Sequence, residues 1–189
     1  FYGCRIEEAS FVPPSPLQLH DYLLSWEKYL KIDDFDVLAQ SAIIHAQFEL
    51  LHPFKDGNGR IGRLLIPLFL YSKKRLIRPM FYLSDYLEKN RSEYYARLKA
   101  ISAEGDWTGW IIFYLNAVIQ QARNNNLKTR QIIKLYDDTK NKIHSLTHSQ
   151  YNMILLDAIF NRPIFLFYQL HEKTKIPKPS LHSLLVSLK

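Results

Sequence analysis

The segment His52-Pro53-Phe54-Lys55-Asp56-Gly57-Asn58-Gly59-Arg60-Ile61-Gly62-Arg63 limits the folds open to this chain more than any other. Proline disfavours helical geometry at the residue before it, so a helix arriving from the N-terminal side must end near His52. Val37, Leu38, Ile44, Phe48 and Leu51, mostly three or four apart, describe such a helix over 35–51. From Arg60 onward Ile61, Leu64, Leu65, Leu68 and Phe69 repeat the helical spacing. Two apolar helices are therefore joined by the small-residue turn Asp56-Gly57-Asn58-Gly59, which opens the second of them. Pro67, inside that second helix, removes a backbone donor and predicts a kink there.

A glycine-rich turn running into a helix aims several backbone N–H groups one way, and the positive end of the helix dipole adds to them; anions bind at such places. Asp56 offers the oxygen donor that Mg²⁺ prefers, and Mg²⁺ is commonly held by one or two carboxylates with water and substrate phosphates. Arg60 and Arg63 stand three apart on the first turn, where both planar guanidinium groups can reach phosphate oxygens. His52 is placed to take a proton from an incoming hydroxyl. Taken singly, each residue has an ordinary reading: a structural histidine, a common turn, a solvated basic face. Their co-occurrence in twelve residues favours a phosphate site. It is not a Walker A loop, because no Lys-Ser or Lys-Thr follows the last glycine.

These twelve residues match the signature HxFx(D/E)GNGRxxR at every specified position, and the chain resembles the Fic (filamentation induced by cAMP) family. The resemblance runs from residues 11–16 to about Ala122. It implies an all-α, Fic-type helical bundle that works as a protein adenylyltransferase. A Ser, Thr or Tyr hydroxyl of a target protein attacks the α-phosphate of ATP, with Mg²⁺ as cofactor, and pyrophosphate leaves. Carried over by position, His52 resembles the general base and Asp56 the Mg²⁺ ligand. Gly57, Asn58 and Gly59 resemble the anion-hole loop. Arg60 and Arg63 resemble the phosphate arginines, Arg63 nearest the γ-phosphate, with Ile61 and Gly62 between them in the nucleotide-binding stretch. Phe54 resembles a buried anchor. Tyr94-Tyr95 resembles a pair placed near the adenine, beside the ordinary reading of one core and one surface aromatic. Ser102 stands where relatives often carry an adenine-binding Asn, a departure from the pattern. The family's β-hairpin flap, on which a target segment lines up as an added strand, would be present only as its second half, within residues 1–16. Ser84-Asp85-Tyr86-Leu87-Glu88 fits the start of the (S/T)xxxE(G/N) inhibitory helix, but Lys89 breaks it and the segment is not assigned that role.

The remaining segments read as helices. Leu17 to Lys31 is one, and Asp34 or Asp36 can cap the next. His45 and Glu49 lie i and i+4 before the motif, where a structural hydrogen bond is favoured over a role toward His52. Lys73-Lys74-Arg75 reads as a solvated helix end, and Ser84 to Ile101 as one helix capped by Ser84. Asp106-Trp107 opens a long helix or helix pair reaching about Leu146. Three short helices follow, Tyr151–Phe160, Ile164–Leu170 and Leu181–Leu188, with a basic turn Lys173–Pro179 before the third, which Ser180 caps. They resemble the helix-turn-helix core of the winged-helix module that Fic proteins often carry at this end. The expected domains are a Fic domain over 1–122 (flap remnant 1–16, motif 52–63), a helical connector over 123–148 and the C-terminal module over 149–189.

Composition narrows the partners. The 189 residues, 47% hydrophobic, suit one domain of ordinary size plus a small appendage. A single cysteine, Cys4, excludes an intramolecular disulfide framework and a cysteine zinc cage, which makes a reducing cytoplasm the simplest setting. No signal peptide and no apolar run of about 18 residues is visible, so no membrane partner is expected. The chain begins at Phe1 and reads as a fragment. Residues 1–122 carry 14 Lys+Arg against 14 Asp+Glu, and residues 123–189 carry 11 against 4, so the whole net charge of +7 lies in the last third. Basic charge over 149–189 raises DNA contact, but a helical cap or a dimerisation element giving a homodimer is favoured, because charge alone is weak grounds. The alternative to an enzyme is a DNA-binding helical regulator that uses the motif to sense nucleotide. Phosphate binding needs Gly57 to Arg63 but no base, so His52 favours catalysis.

Overall fold

The computed structural model describes residues 11–188. Their regular structure is entirely helical: α1 (Pro16–Lys31), α2 (Val37–Leu51), α3 (Asn58–Ser72), α4 (Ser84–Lys89), α5 (Arg91–Glu104), α6 (Trp107–Leu146), α7 (Asn152–Asn161), α8 (Phe167–Thr174) and α9 (Lys178–Ser187). Residues 1–10, most of the expected flap remnant, lie outside the described residues, and residues 11–15 reach α1 without regular structure. The chain divides into two compact units, Phe1–Arg123 and Asn124–Lys189.

In the first unit the other helices are organised around α2. Asp36 caps it, its side chain accepting from the N–H groups of Leu38 and Ala39, both at 2.8 Å. Its buried residues include polar ones, and those found partners on the neighbouring helices. Gln40 donates to the carbonyls of Tyr29 and Ile32 at the end of α1, and Ser41 meets the Tyr114 hydroxyl of α6 at 2.7 Å. Trp26 of α1 and Trp110 of α6 donate indole N–H groups to the carbonyls of Ile44 and Ala42. Ala42, Ile44 and Ala46 join Ile66, Phe69, Leu70, Leu98, Trp110 and Tyr114 in one apolar core. Burying a large apolar side chain stabilises by about 1.5–3 kcal/mol, so this core outweighs the individual hydrogen bonds that orient it.

Two segments differ from the sequence expectation here. Residues 84–101 are not one helix: the chain breaks at Asn90, whose N–H and Nδ2 both donate to Tyr86 O, ending α4 before α5 begins. Asparagine competes for backbone groups in this way, which is why it punctuates helices. Ser84 is the first residue of α4 rather than its cap; Leu83 precedes the helix and is fully buried. Lys73 is not a solvated end either. Its ammonium donates to Ile32 O and to Asp33 Oδ1 (2.7 Å), leaving the side chain only 13% exposed, and so ties the end of α3 to the α1–α2 connector.

The second unit closes on Leu155, Ala158, Leu170, Ile176, Leu181 and Leu184. Its second helix starts at Phe167, not Ile164, and runs on to Thr174, so the basic turn shrinks to Lys175–Pro177. Lys175 takes the left-handed conformation (φ 57°), and His171 Nδ1 donates to Ile176 O at 2.7 Å across the turn. Pro177, rather than Ser180, precedes the third helix, which begins at Lys178. Among the described residues no helix is long and apolar enough to cross a membrane.

Candidate active site

His52 ends α2 in the left-handed region (φ 48°, ψ 53°), its N–H bonded to Phe48 O. That conformation costs a non-glycine residue on the order of 1 kcal/mol, and the following Pro53, which disfavours a right-handed helical residue before it, helps to hold it. The turn aims the imidazole back along α2, with Nδ1 3.3 Å from Glu49 O. A carbonyl only accepts, so Nδ1 is the donor of this contact and Nε2 is left to other partners. Phe11 sets its ring edge-on to the imidazole at 6.1 Å between centroids.

The loop after His52 is closed by Asn58, a side chain only 2% exposed. It accepts from Phe54 N–H at 2.9 Å and donates to Phe54 O, so the residue read as an anion-hole member ties the loop together with its amide side chain. Phe54 itself is 49% exposed and touches Phe48, which corrects its reading as a buried anchor: Asn58 anchors it through its backbone, so its ring need not be buried. Gly57 has φ 84°, a conformation that glycine reaches without strain, and it precedes α3. No side chain caps α3, and a helix leaves its first N–H groups without intrahelical acceptors.

Both arginines fold back over this turn. Arg60 pairs with Asp56 at 3.1 Å, and a Cβ on Gly57 would lie 3.5 Å from Arg60 Nη2. A Cβ on Gly59 would lie 3.0 Å from Arg63 Nη1, so the Arg63 guanidinium rests against the bare Cα of Gly59. Helical side chains tilt toward the N-terminus, which brings both cations to the uncapped end of α3. Asp56 Oδ1 accepts from Gly57 N–H at 2.7 Å, and both members of the Asp56–Arg60 pair are largely exposed. An exposed pair contributes at most about 1 kcal/mol, so Asp56 can change partners at little cost.

The structure therefore brings Asp56, Gly57, Gly59, Arg60 and Arg63 together at the start of α3, with His52 at the end of α2 on the same short segment. Ile61 is half-buried on α3, and Gly62 is buried against Glu49 and Phe48, with its carbonyl bonded to His45 Nδ1 at 3.1 Å. The tyrosine pair divides. Tyr94 is 3% exposed in the core and its hydroxyl meets His45 Nε2 at 3.0 Å, whereas Tyr95 is 53% exposed. Ser102 is exposed on α5. Among the described residues no three His, Cys, Asp or Glu side chains cluster as a metal cage. The lone Asp56 carboxylate suits a Mg²⁺ ion whose remaining ligands are water and phosphate, rather than a resident protein-caged metal.

His45 and Glu49 are what a reading of the motif alone underrates. With His52 they stand at spacings of four and three, one face of α2 turned toward α3. His45 is fully buried; its Nδ1–H serves Gly62 O and its Nε2 accepts from Tyr94, so burial holds it neutral and lowers its pKa to about 4. A cleft of about 600 Å³ in the second unit, with Ala158 and Leu170 among its lining and Arg162 and Lys173 at its edge, includes no motif residue.

Residues 4–70 match the family model described as Fic/DOC family. The chain is 34% identical over 92 residues to a probable protein adenylyltransferase of Aquifex aeolicus (strain VF5), covering 48% of this chain and 26% of that protein. It is 33% identical over 93 residues to a protein adenylyltransferase of Caenorhabditis elegans, covering 47% of this chain and 17% of the relative. The chain thus spans about a quarter or less of the length of these curated relatives. A crystal structure of a Fic family protein from Desulfovibrio desulfuricans G20 superposes with a TM-score of 0.59 at 22% identity, over 90% of this chain and 47% of that one, which establishes the likeness of fold. The stretch matched to the Fic/DOC family, residues 4–70, contains the complete motif, and it is in this stretch that the chain is similar to Fic domain proteins.

Proposed function

We propose that the protein is a protein adenylyltransferase that moves AMP from ATP to a Ser, Thr or Tyr hydroxyl of a target protein. The observation that carries this reading is His52, its Nδ1 turned to Glu49 O, on the same short segment as a helix end that has no side-chain cap and has two arginines folded over it. A pure phosphate sensor needs the helix end and the arginines but has no use for a base. The relatives named protein adenylyltransferase support the same reading.

In the proposed reaction the target hydroxyl oxygen attacks the α-phosphorus as its proton passes to His52 Nε2. The bond to the β-phosphate breaks and pyrophosphate leaves with the electron pair. The N–H groups at the start of α3, with Arg60 and Arg63, hold the phosphates and offset the charge that develops on them. Asp56 would hold Mg²⁺, which when bound neutralises phosphate charge. Tyr95 and Ser102, the exposed members of the expected adenine contacts, are assigned to the base, and Tyr94 acts only by packing behind them. The flap remnant over 1–16 is assigned to the target segment, and α7–α9 to an accessory helix-turn-helix-like module.

The test is incubation with α-labelled ATP and Mg²⁺, wild type beside His52→Ala, reading label on protein by gel and mass spectrometry. A mass gain of one AMP with the wild type alone, while His52→Ala still binds ATP within a few-fold, is the expected result. Transfer by both proteins would remove His52 as the base, and ATP binding without transfer by either would favour the sensor.

A further inference from the structure

Glu49 takes no part in the steps above, yet its surroundings are the least ordinary in the motif region. It stands one turn before His52 on α2, and its side chain lies across Gly62, where an added Cβ would collide with Oε1. The two helices approach this closely only because residue 62 has no side chain. Oε1 is buried and meets no donor among the described residues. A buried carboxylate oxygen without a hydrogen bond is costly when charged, so it tends either to hold a proton or to recruit a cation. Burial pushes this carboxyl up to about 7, while the Arg63 guanidinium works against that shift.

Several helices supply the groups around it. From α3 comes Arg63, a permanent cation. From α5 comes Tyr94, whose pKa burial raises well above the ordinary phenol value, with Glu49 adding to the rise. From α2 itself comes His45, kept neutral by burial down to about pH 4. His52 is turned to the Glu49 backbone carbonyl rather than to its carboxyl. From α1 comes Trp26, which packs on Phe48 beside Glu49 in sequence, is uncharged and spends its N–H on Ile44 O. The Arg63 guanidinium has no ion pair at 4.0 Å or less among the described residues, so it is available to either of two anions, the Glu49 carboxylate or a nucleotide phosphate.

We propose that Glu49 is a positioning residue for Arg63: its ionised carboxylate competes with nucleotide phosphate for the guanidinium, and it takes up a proton from solvent as Arg63 turns to the phosphate. This rests on the reading of Arg63 as a phosphate contact. Nucleotide binding is then coupled to protonation of one carboxyl group. Affinity falls as the pH rises through neutrality, because a larger share of the free protein must first bind a proton.

The experiment is calorimetric titration of the full chain with Mg²⁺ and the α,β-methylene analogue of ATP at pH 7.5, in two buffers of different ionisation enthalpy, with affinities followed from pH 6.5 to 8.5. Wild type is expected to take up a fraction of a proton and to lose affinity several-fold across that range. Glu49→Gln, which mimics the protonated form, should take up none and keep the wild-type acidic affinity throughout; Arg63→Ala should bind weakly and take up none. Proton uptake in Glu49→Gln equal to wild type, or none in wild type, overturns the proposal while leaving Arg63 as a phosphate contact. Undiminished binding by Arg63→Ala overturns that contact itself, and the proposal with it. Should Glu49→Gln not fold, proton uptake by wild type and its persistence or loss in Arg63→Ala still decide.

Discussion

In the unit from Phe1 to Arg123, α2 buries Gln40, Ser41 and His45 among its apolar residues, whereas the unit from Asn124 to Lys189 closes on six apolar side chains, with Asn152 its one buried polar residue among those described. Apolar contacts are nearly indifferent to direction; hydrogen bonds are not. In the first unit the buried polar groups point α2 at particular carbonyls and hydroxyls on α1, α3, α5 and α6, and so set where His52 leaves the helix. The second unit needs only a filled interior. The contrast teaches that directional groups are concentrated where a geometry must be held, beside the motif.

The sharpest way to break that comparison is His45→Ala. It strands Gly62 O and the Tyr94 hydroxyl in the core and leaves a cavity, so it should destabilise by about 3–5 kcal/mol in denaturant unfolding. A smaller loss than a core leucine truncation would show that the polar ties are incidental. That truncation is Leu155→Ala in the second unit, expected to cost about 2–4 kcal/mol while leaving nucleotide affinity unchanged. A fall in affinity would refute the separation of roles. Gly62→Ala forces Glu49 and Phe48 aside and should cost about 1–3 kcal/mol, with nucleotide affinity falling as α3 shifts. An unchanged melting temperature would mean that the α2–α3 contact is softer than it looks.

The smallest expected effect is a pH dependence with opposite signs at two neighbours. Glu49 is raised from 4.5 to about 7, so its contribution is fully present below about pH 4.5 and is lost as the pH rises to about 7. His45 is lowered from 6.5 to about 4, so its contribution is present above about pH 6.5 and is lost as the pH falls to about 4. Relative to wild type, Glu49→Gln should therefore gain about 1–2 kcal/mol between pH 4.5 and 7, after allowance for partial exposure. Parallel stability curves for the two proteins would show that the carboxyl is not desolvated.

Much of the frame was legible beforehand. The end of α2 near His52 follows from Pro53, the opening of α3 at the glycine turn follows from residues without competing side chains, and the Asp36 cap was one of two candidates named. The break at Asn90 was not foreseen, because the apolar spacing of Tyr86, Leu87, Tyr94 and Leu98 runs across it, and a single asparagine alters backbone bonding without disturbing that pattern. The start of α8 was placed too early for a similar reason: Ile164 and Leu166 are apolar but 88% and 58% exposed, so their hydrophobicity gave no sign of burial. The motif residues were found because they are contiguous. His45 and Glu49 stand out beside them by their i and i+4 spacing, and the structural hydrogen bond favoured there is present at His45, but its partners Gly62 and Tyr94 are set by what α3 and α5 place opposite.

The amino-acid sequence by itself determined the local backbone of the motif, since proline before and glycine within it restrict φ and ψ whatever surrounds them. Tertiary structure decided the fate of its polar and aromatic side chains. Tyr94 went to the core and Tyr95 to solvent, Phe54 stayed half-exposed, Lys73 reached back to Asp33, and Glu49 laid its buried Oε1 against Gly62. The physical reason is range: backbone conformation is governed by neighbours in sequence, whereas burial and the partner of a charge depend on which helix faces meet, and those faces belong to residues tens of positions apart.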